Sequence, residues 1–442
     1  MENAEKTDKF FDLARLLSTH LPPHFEREKG SLGPRAVFLS VMRMSVLGTQ
    51  SYGSVLDAMR KHLGEELGWE SGVPSCSAFS QARRKLTARA CVATFLTIRR
   101  ELTRARAVPR ETFHGLRLVA VDGTRLTLPP SAELVTSFGC PRNQYAHAAA
   151  CPQAGLVVLW DISSNQPRAW ELGPYTLPER TAAEGLLMHV GAGDLLLADR
   201  GYPGLSFFQA VQSRGSDYVI RMNTTTVAKT AEFVAFLAST ATDQVVEFPS
   251  LVRGERRFPG DLPLRVRFVA DPTDRLRVIA TSLLDAKRYP PAEILRIYRS
   301  RWNIETAFRE AKQWHGLEQF HARYAEGIHQ EVAGIMTFQY LVSELEADVR
   351  ERLNQEICDG TWPPEVTNDI PYTFNRRRIA CMSNWLLLLA ATQPHKVAAE
   401  WDYCVRELWR GRAKRRPGRS TPRIAKNPRS VSRATRPLRS TS

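Results

Sequence analysis

Long apolar runs are missing from this 442-residue chain. The longest candidate, Trp385 to Ala391, falls far short of the roughly 18 residues that a membrane-crossing helix needs. The opening MENAEKTDKF also lacks the apolar core of a signal peptide. A soluble, intracellular protein is expected. Cysteine is scarce: Cys76, Cys91, Cys140, Cys151, Cys358, Cys381 and Cys404 are scattered, odd in number and include no CxxC pair. That excludes a disulfide framework and speaks against a zinc site. Acid is nearly absent from two stretches. Arg410 to the end holds 12 Lys and Arg and no Asp or Glu, and Ser75 to Arg110 sets nine basic residues against Glu101 alone. The net charge of +15 is concentrated in these two regions, and the rest of the chain is slightly acidic. Affinity for a polyanion therefore has two addresses rather than the whole surface.

What is present is a globular composition, 43% hydrophobic, enough for about two to four domains. Residues 8–20 and 35–47 carry helical periodicity, divided by Leu21-Pro22-Pro23. Ser54 to Leu63 and Cys76 to Leu86 read as short helices, the second behind a Ser75 N-cap and exposing Gln81, Arg83, Arg84 and Lys85. Together they suggest either a helix-turn-helix-like DNA-binding module or an ordinary helical bundle with a basic face. A longer helix, about Ala88 to Arg106, leads out of it.

The character changes at Gly115. LRLVAVDGTRLTLP reads as a strand with Asp122 near its middle, followed by strands near Tyr145 to Cys151 and Leu156 to Ile162. Thr181 to Val190 looks helical. DLLLAD, residues 194–199, is a buried strand that delivers Asp199 at its end, and helix Leu205 to Arg214 and strand Tyr218 to Arg221 continue an α/β pattern. Residues 222–275, rich in Pro and in short alternating pieces with one helix at Ala231 to Leu237, read as a mainly β insertion. Strand Leu276 to Ser282 returns to the α/β domain. Pro290-Pro291 then opens a helix through Lys312, and helical segments follow near Glu331 to Leu353 and Asn375 to Ala391. The expected domains are a helical DNA-binding domain at 1–110, an α/β domain at 111–330, a helical region at 331–409 and a disordered basic tail at 410–442.

The stretch YRSRWNIETAFREAK, Tyr298 to Lys312, is the richest in chemistry. At about 100° per residue, Tyr298, Arg301, Trp302, Glu305, Arg309 and Lys312 share one face, beside an apolar stripe of Ile297, Ile304, Phe308 and Ala311. Read alone, that face is a solvated array of i,i+4 ion pairs. Asp122 and Asp199, each beside a turn, read alone as turn-initiating acids. Taken jointly, three carboxylates from strand, strand and helix are the hard oxygen ligands that Mg²⁺ or Mn²⁺ prefers. A two-ion site built on them suits phosphodiester chemistry. Asp161, Asp194 and Glu310 are less well placed.

The spacing Tyr298, Arg301, Glu305, Lys312 (Y-x2-R-x3-E-x6-K), with VDGT at 121–124 and ADRGY at 198–202, resembles the DDE transposases of the insertion-sequence-four group. The resemblance covers about Leu116 to Lys312. It implies a ribonuclease H-like catalytic core and two catalytic Mg²⁺, with Mn²⁺ as a substitute, held by Asp122, Asp199 and Glu305. It also implies phosphate contacts from Tyr298, Arg301 and Lys312, with Trp302 and Arg309 on the same DNA-facing surface. Arg83, Arg84 and Lys85 are the candidate DNA-binding residues of the N-terminal helices. The implied activity is cleavage at the terminal inverted repeats of an insertion sequence and transfer to target DNA, as a dimer on DNA in the bacterial cytoplasm. Some relatives pass through a hairpin and hold a flipped base against a tryptophan of the β insertion. Residues 222–275 contain no Trp or Tyr here, only five Phe, although Trp302 is suitably placed. Two other readings remain: a structure-specific nuclease with the same three carboxylates, and a non-catalytic DNA-binding regulator.

Overall fold

The computed structural model describes residues 32–359 except 48–50, 64–68, 70–71, 106–111, 143–148, 225–229, 249–251, 254–255 and 258–263, together with scattered residues between 372 and 414. The helix expected at 8–20, most of the one at 375–391 and the tail from 415 onward lie outside the described residues.

Among the described residues the first elements are the helices α1 (Pro34–Leu47), α2 (Tyr52–Leu63), α3 (Cys76–Lys85) and α4 (Ala88–Ala105). Ser75 caps α3 as expected, its hydroxyl accepting from the Ala78 N–H. Then follow β1 (Arg117–Thr127), α5 (Ala132–Phe138), β2 (Gln153–Asp161), β3 (Gln166–Pro174), α6 (Glu179–Leu186), β4 (Asp194–Ala198), α7 (Leu205–Gln212) and β5 (Asp217–Arg221). Next are α8 (Ala231–Ala238), β6 (Asp243–Phe248), the two-residue strands β7 (Val252–Arg253) and β8 (Arg256–Arg257), β9 (Leu264–Asp271) and β10 (Asp274–Thr281). The chain continues through α9 (Pro291–Tyr298), α10 (Trp302–Trp314), α11 (Ala325–Cys358) and the short paired strands β11 (Tyr372–Thr373) and β12 (Ala413–Lys414).

Two compact units result. The first comprises residues 1–105, 127–153 and 311–442. Its centre is α11, which packs against α1 and α4. From Val332 to Val342 nearly every side chain of α11 is buried, as expected of a helix surrounded by others rather than lying on a surface. The helices before and after the α/β segment therefore share one unit.

The second unit comprises residues 106–126 and 154–310 and is built on one eight-stranded sheet, in the order β3-β2-β1-β4-β5-β10-β9-β6. β1, β4 and β5 are parallel, while β2–β3, β5–β10, β10–β9 and β9–β6 pair antiparallel. Val119, Val121, Leu196, Ala198 and Ile220 turn into an apolar core with Ala183, Leu186, Phe207, Phe208, Phe233 and Phe268. The mainly β pieces expected after residue 222 include β6 and β9, which extend the same sheet. Two expectations need correcting. No strand occupies the described part of 145–151, whereas β3, unforeseen, closes the sheet edge. Pro167 and Pro174 masked β3 in the sequence, yet an edge strand leaves half its N–H groups unpaired, so proline is tolerated there. Finally, the helix read as continuous through Tyr298 is broken by a 3₁₀ turn at Arg299–Arg301.

Candidate active site

Strand register decides which side chains meet. β1 and β4 pair in parallel with Leu118 opposite Leu195 and Ala120 opposite Leu197, and the same offset carries Asp122 to the level of Asp199. β4 and β5 pair with Ala198 opposite Ile220, which carries Asp199 to the level of Arg221. Two acids and an arginine thus line up at one level of three adjacent parallel strands, in the middle of the longer β1 and at the carboxyl ends of β4 and β5, the side on which open α/β sheets bind ligands. Backbone N–H groups fix the acids, within β1 for Asp122, since that strand continues through Gly123 where a turn was expected, and in the turn that follows β4 for Asp199. The Gly123 N–H donates to Asp122 Oδ1 at 2.9 Å, and the Gly201 N–H donates to Asp199 Oδ1 at 2.7 Å.

The 3₁₀ turn positions the next group. In such a turn residues i and i+3 eclipse, so Arg301 comes over Tyr298 instead of about 60° to one side, as a continuous helix would place it. Arg301 is 6% exposed and bridges two acids: Nη1 donates to Asp122 Oδ2 at 3.0 Å and Nη2 to Glu305 Oε1 at 2.7 Å. Burial works against its charge, but Glu305, Tyr298 and Asp122 hold its pKa above the ordinary guanidinium value. Burial is also the largest influence on Asp122, whose carboxyl is pushed up to about 6. Arg301 and the Gly123 N–H oppose that rise, while Asp199 and Glu305 add to it. The three acids feel one another, and a single guanidinium keeps two of them together.

The rest of the stripe divides. Tyr298 is buried, with a phenol raised by that burial and flanked by Arg301, Arg221 and Asp199. Trp302 is 52% exposed, and Cζ of Arg301 lies 5.3 Å from its ring centroid. Arg309 is exposed and donates to Thr306 Oγ1. Lys312, on the last turn of the helix, falls in the other unit and pairs with Glu318 at 3.2 Å.

Oxygen-only donors suit Mg²⁺ or Mn²⁺, and the bridging guanidinium marks the space between Asp122 and Glu305 as one that takes positive charge. Among the described residues, no group of three His, Cys, Asp or Glu side chains is closed tightly enough to hold an ion as it stands. Asp161 and Asp194, set aside on the sequence, are engaged elsewhere, both paired with the buried Arg168.

One expectation fails outright. Arg83, read as an exposed DNA-binding residue, is 0% exposed. It donates to Gln330 Oε1, the Tyr52 hydroxyl, the Gly327 carbonyl and Glu331 Oε1. The error has a simple origin: in Arg83-Arg84-Lys85, consecutive helical residues face different directions, and Arg83 faces α11. Arg84 and Lys85 are exposed, with Arg84 over the Tyr324 ring. Sequence reasoning also passed over Arg221. Its signal was its place directly after the apolar Tyr218-Val219-Ile220, as Asp199 follows its own apolar strand.

A family model described as the transposase DDE domain matches residues 113–340. The transposase InsG for insertion sequence element IS4 of Escherichia coli (strain K12) is 26% identical over 302 residues, which are 66% of this chain and 64% of that protein. The chain thus spans just under two thirds of the relative's length. A cryo-EM structure of a piggyBac transposase synaptic complex with hairpin DNA aligns with 93% of this chain and 77% of that chain, at 8% identity and a TM-score of 0.39.

Proposed function

Because the chain belongs to the transposase DDE domain family, we propose that it is a transposase that binds the terminal inverted repeats of an insertion sequence, cleaves DNA there and joins the freed ends to target DNA. The observation that carries this reading is the placement of Asp122 and Asp199 at one level of two parallel strands, with Glu305 tied to Asp122 through Arg301. A parallel β1-β4-β5 centre flanked by the antiparallel β2–β3 hairpin, with one acid inside β1 and another just past the end of β4, supports a ribonuclease H-like core.

Asp122, Asp199 and Glu305 would hold the two divalent cations. When bound, such ions supply activation of the attacking oxygen and stabilisation of the leaving one in an in-line displacement. The chain's own groups do the rest. Arg301 keeps mutually repelling carboxylates together, and its planar fork equally suits a phosphate of the transposon end. Tyr298, Arg221 and Lys312 offer further phosphate contacts, Arg309 extends the cationic surface, and the exposed Trp302 ring offers a face to a nucleobase. Arg84 and Lys85, with other cations between Ser75 and Arg110, are the N-terminal candidates for holding DNA. A dimer on the DNA would present two such sites to two ends.

The test is Mg²⁺- and Mn²⁺-dependent cleavage of DNA carrying the element's inverted repeats. Asp122→Asn, Asp199→Asn and Glu305→Gln keep shape but remove ligand charge, so each should lower cleavage by about 100-fold or more while sparing DNA binding. Near-normal cleavage in any one removes that residue from the site, and a native chain that cleaves no repeat DNA overturns the reading.

A further inference from the structure

Two side chains beside the acids have no task in that scheme. Glu179 opens α6, and its carboxyl lies against the main chain of Gly123: a Cβ added at Gly123 would sit 2.6 Å from Cδ and 2.8 Å from Oε1 of Glu179. Since the same glycine's N–H holds Asp122 Oδ1, both carboxylates touch one residue. Among the described residues the Glu179 side chain makes no hydrogen bond or salt bridge. Its neighbour Arg180 turns to Glu184 and Ser206 instead.

Tyr202 closes the ADRGY segment. It is 1% exposed, and its hydroxyl finds no partner among the described residues. The charges that act on it are the acids Asp122, Glu179 and Asp199 and the cation Arg301. A buried hydroxyl without a partner is costly to fold around, and in native structures it commonly has an ordered molecule to meet. An unpaired carboxylate beside a second one likewise favours a cation or the water around it. Mg²⁺ retains several waters when bound, and their hydrogens need acceptors.

Resting on the function proposed above, we infer that Glu179 and Tyr202 are positioning residues of the divalent-cation site, a fourth carboxylate and a buried hydroxyl oxygen that accept hydrogens from waters the cation retains. Gly123 is then small for a reason: any side chain there would push Glu179 away from Asp122.

Direct titration of the full chain with Mn²⁺ alone, followed by electron paramagnetic resonance, tests this without reference to cleavage. Glu179→Gln should weaken Mn²⁺ binding by about 10-fold, within the range for outer groups of metal sites, and Tyr202→Phe should shift it in the same direction. Glu171→Gln, an equal charge loss on the exposed part of β3, should leave Mn²⁺ binding unchanged. The thermal midpoint of Glu179→Gln without metal should match the native chain, because its carboxylate has no hydrogen-bond or ion-pair partner to lose among the described residues. Glu179→Gln binding Mn²⁺ like the native chain, or no worse than Glu171→Gln, overturns the inference. If Asp122→Asn loses Mn²⁺ in that same series, the proposed function stands while this inference falls. If the native chain takes up no Mn²⁺, or Asp122→Asn takes it up like the native chain, the proposed function fails with it.

Discussion

Arg83 and Glu331 form a buried charge pair, with side chains 0% and 4% exposed. Removing one partner strands the other, so Arg83→Ala should cost about 3–5 kcal/mol in urea unfolding. Arg84→Ala, which loses only a surface cation–π contact, should cost about 0.5–1 kcal/mol. Acid sensitivity follows from the same pair. Burial alone would raise the Glu331 carboxyl, but Arg83 and His321 outweigh it and hold it below the ordinary value of 4.5. A folded-state pKa below the unfolded one contributes stability that is fully present above the unfolded value and is lost as pH falls through the folded value. Stability should therefore drop below about pH 4.5, and Glu331→Gln, though less stable at neutral pH, should show a shallower fall over that range. Equal slopes in the two proteins would show that another group sets the acid limit.

At the scale of elements, close approach of backbones holds the helical unit. A Cβ at Gly334 in α11 would lie 3.3 Å from Val41 Cγ1 and 3.4 Å from the Met42 main chain in α1. Backbone cannot swing aside as a long side chain does, so Gly334→Val should separate α1 from α11 and cost about 1–3 kcal/mol, read as a lowered melting temperature. Gly334→Ala should cost less, since its single methyl needs only a few tenths of an ångström. Unchanged stability in the valine variant would mean that α1 is free to shift.

For the whole molecule, charge placement makes a separate prediction. Truncation after Lys414 keeps the β11–β12 pair and removes a stretch that is basic and without acid. Cations that neutralise phosphates set the salt dependence of binding. The truncated chain should therefore bind all DNA more weakly and with a smaller slope of log K against log salt, while preferring terminal-repeat over random DNA as before. Fluorescence anisotropy across a salt series measures both, and lost preference would place sequence reading in the tail.

By itself the sequence determined the existence and order of most described elements. Apolar periodicity and caps are local properties, and Ser75, Pro291 and the DLLLAD run carry them openly. It also singled out Asp122, Asp199 and Glu305 as candidates, because acids inside one strand, at the end of another and on a helix face stand out against apolar surroundings. Only the tertiary structure decided what depends on distant partners. β3 exists because β2 and the edge position accept its prolines, and β6 and β9 join the main sheet because strand pairing is not encoded in spacing. Arg83 became structural because Glu331 and Gln330, some 250 residues away, face it. Glu179 and Arg221 reach the acids through the packing of α6 and the register of β5, long-range geometry that no window of sequence contains.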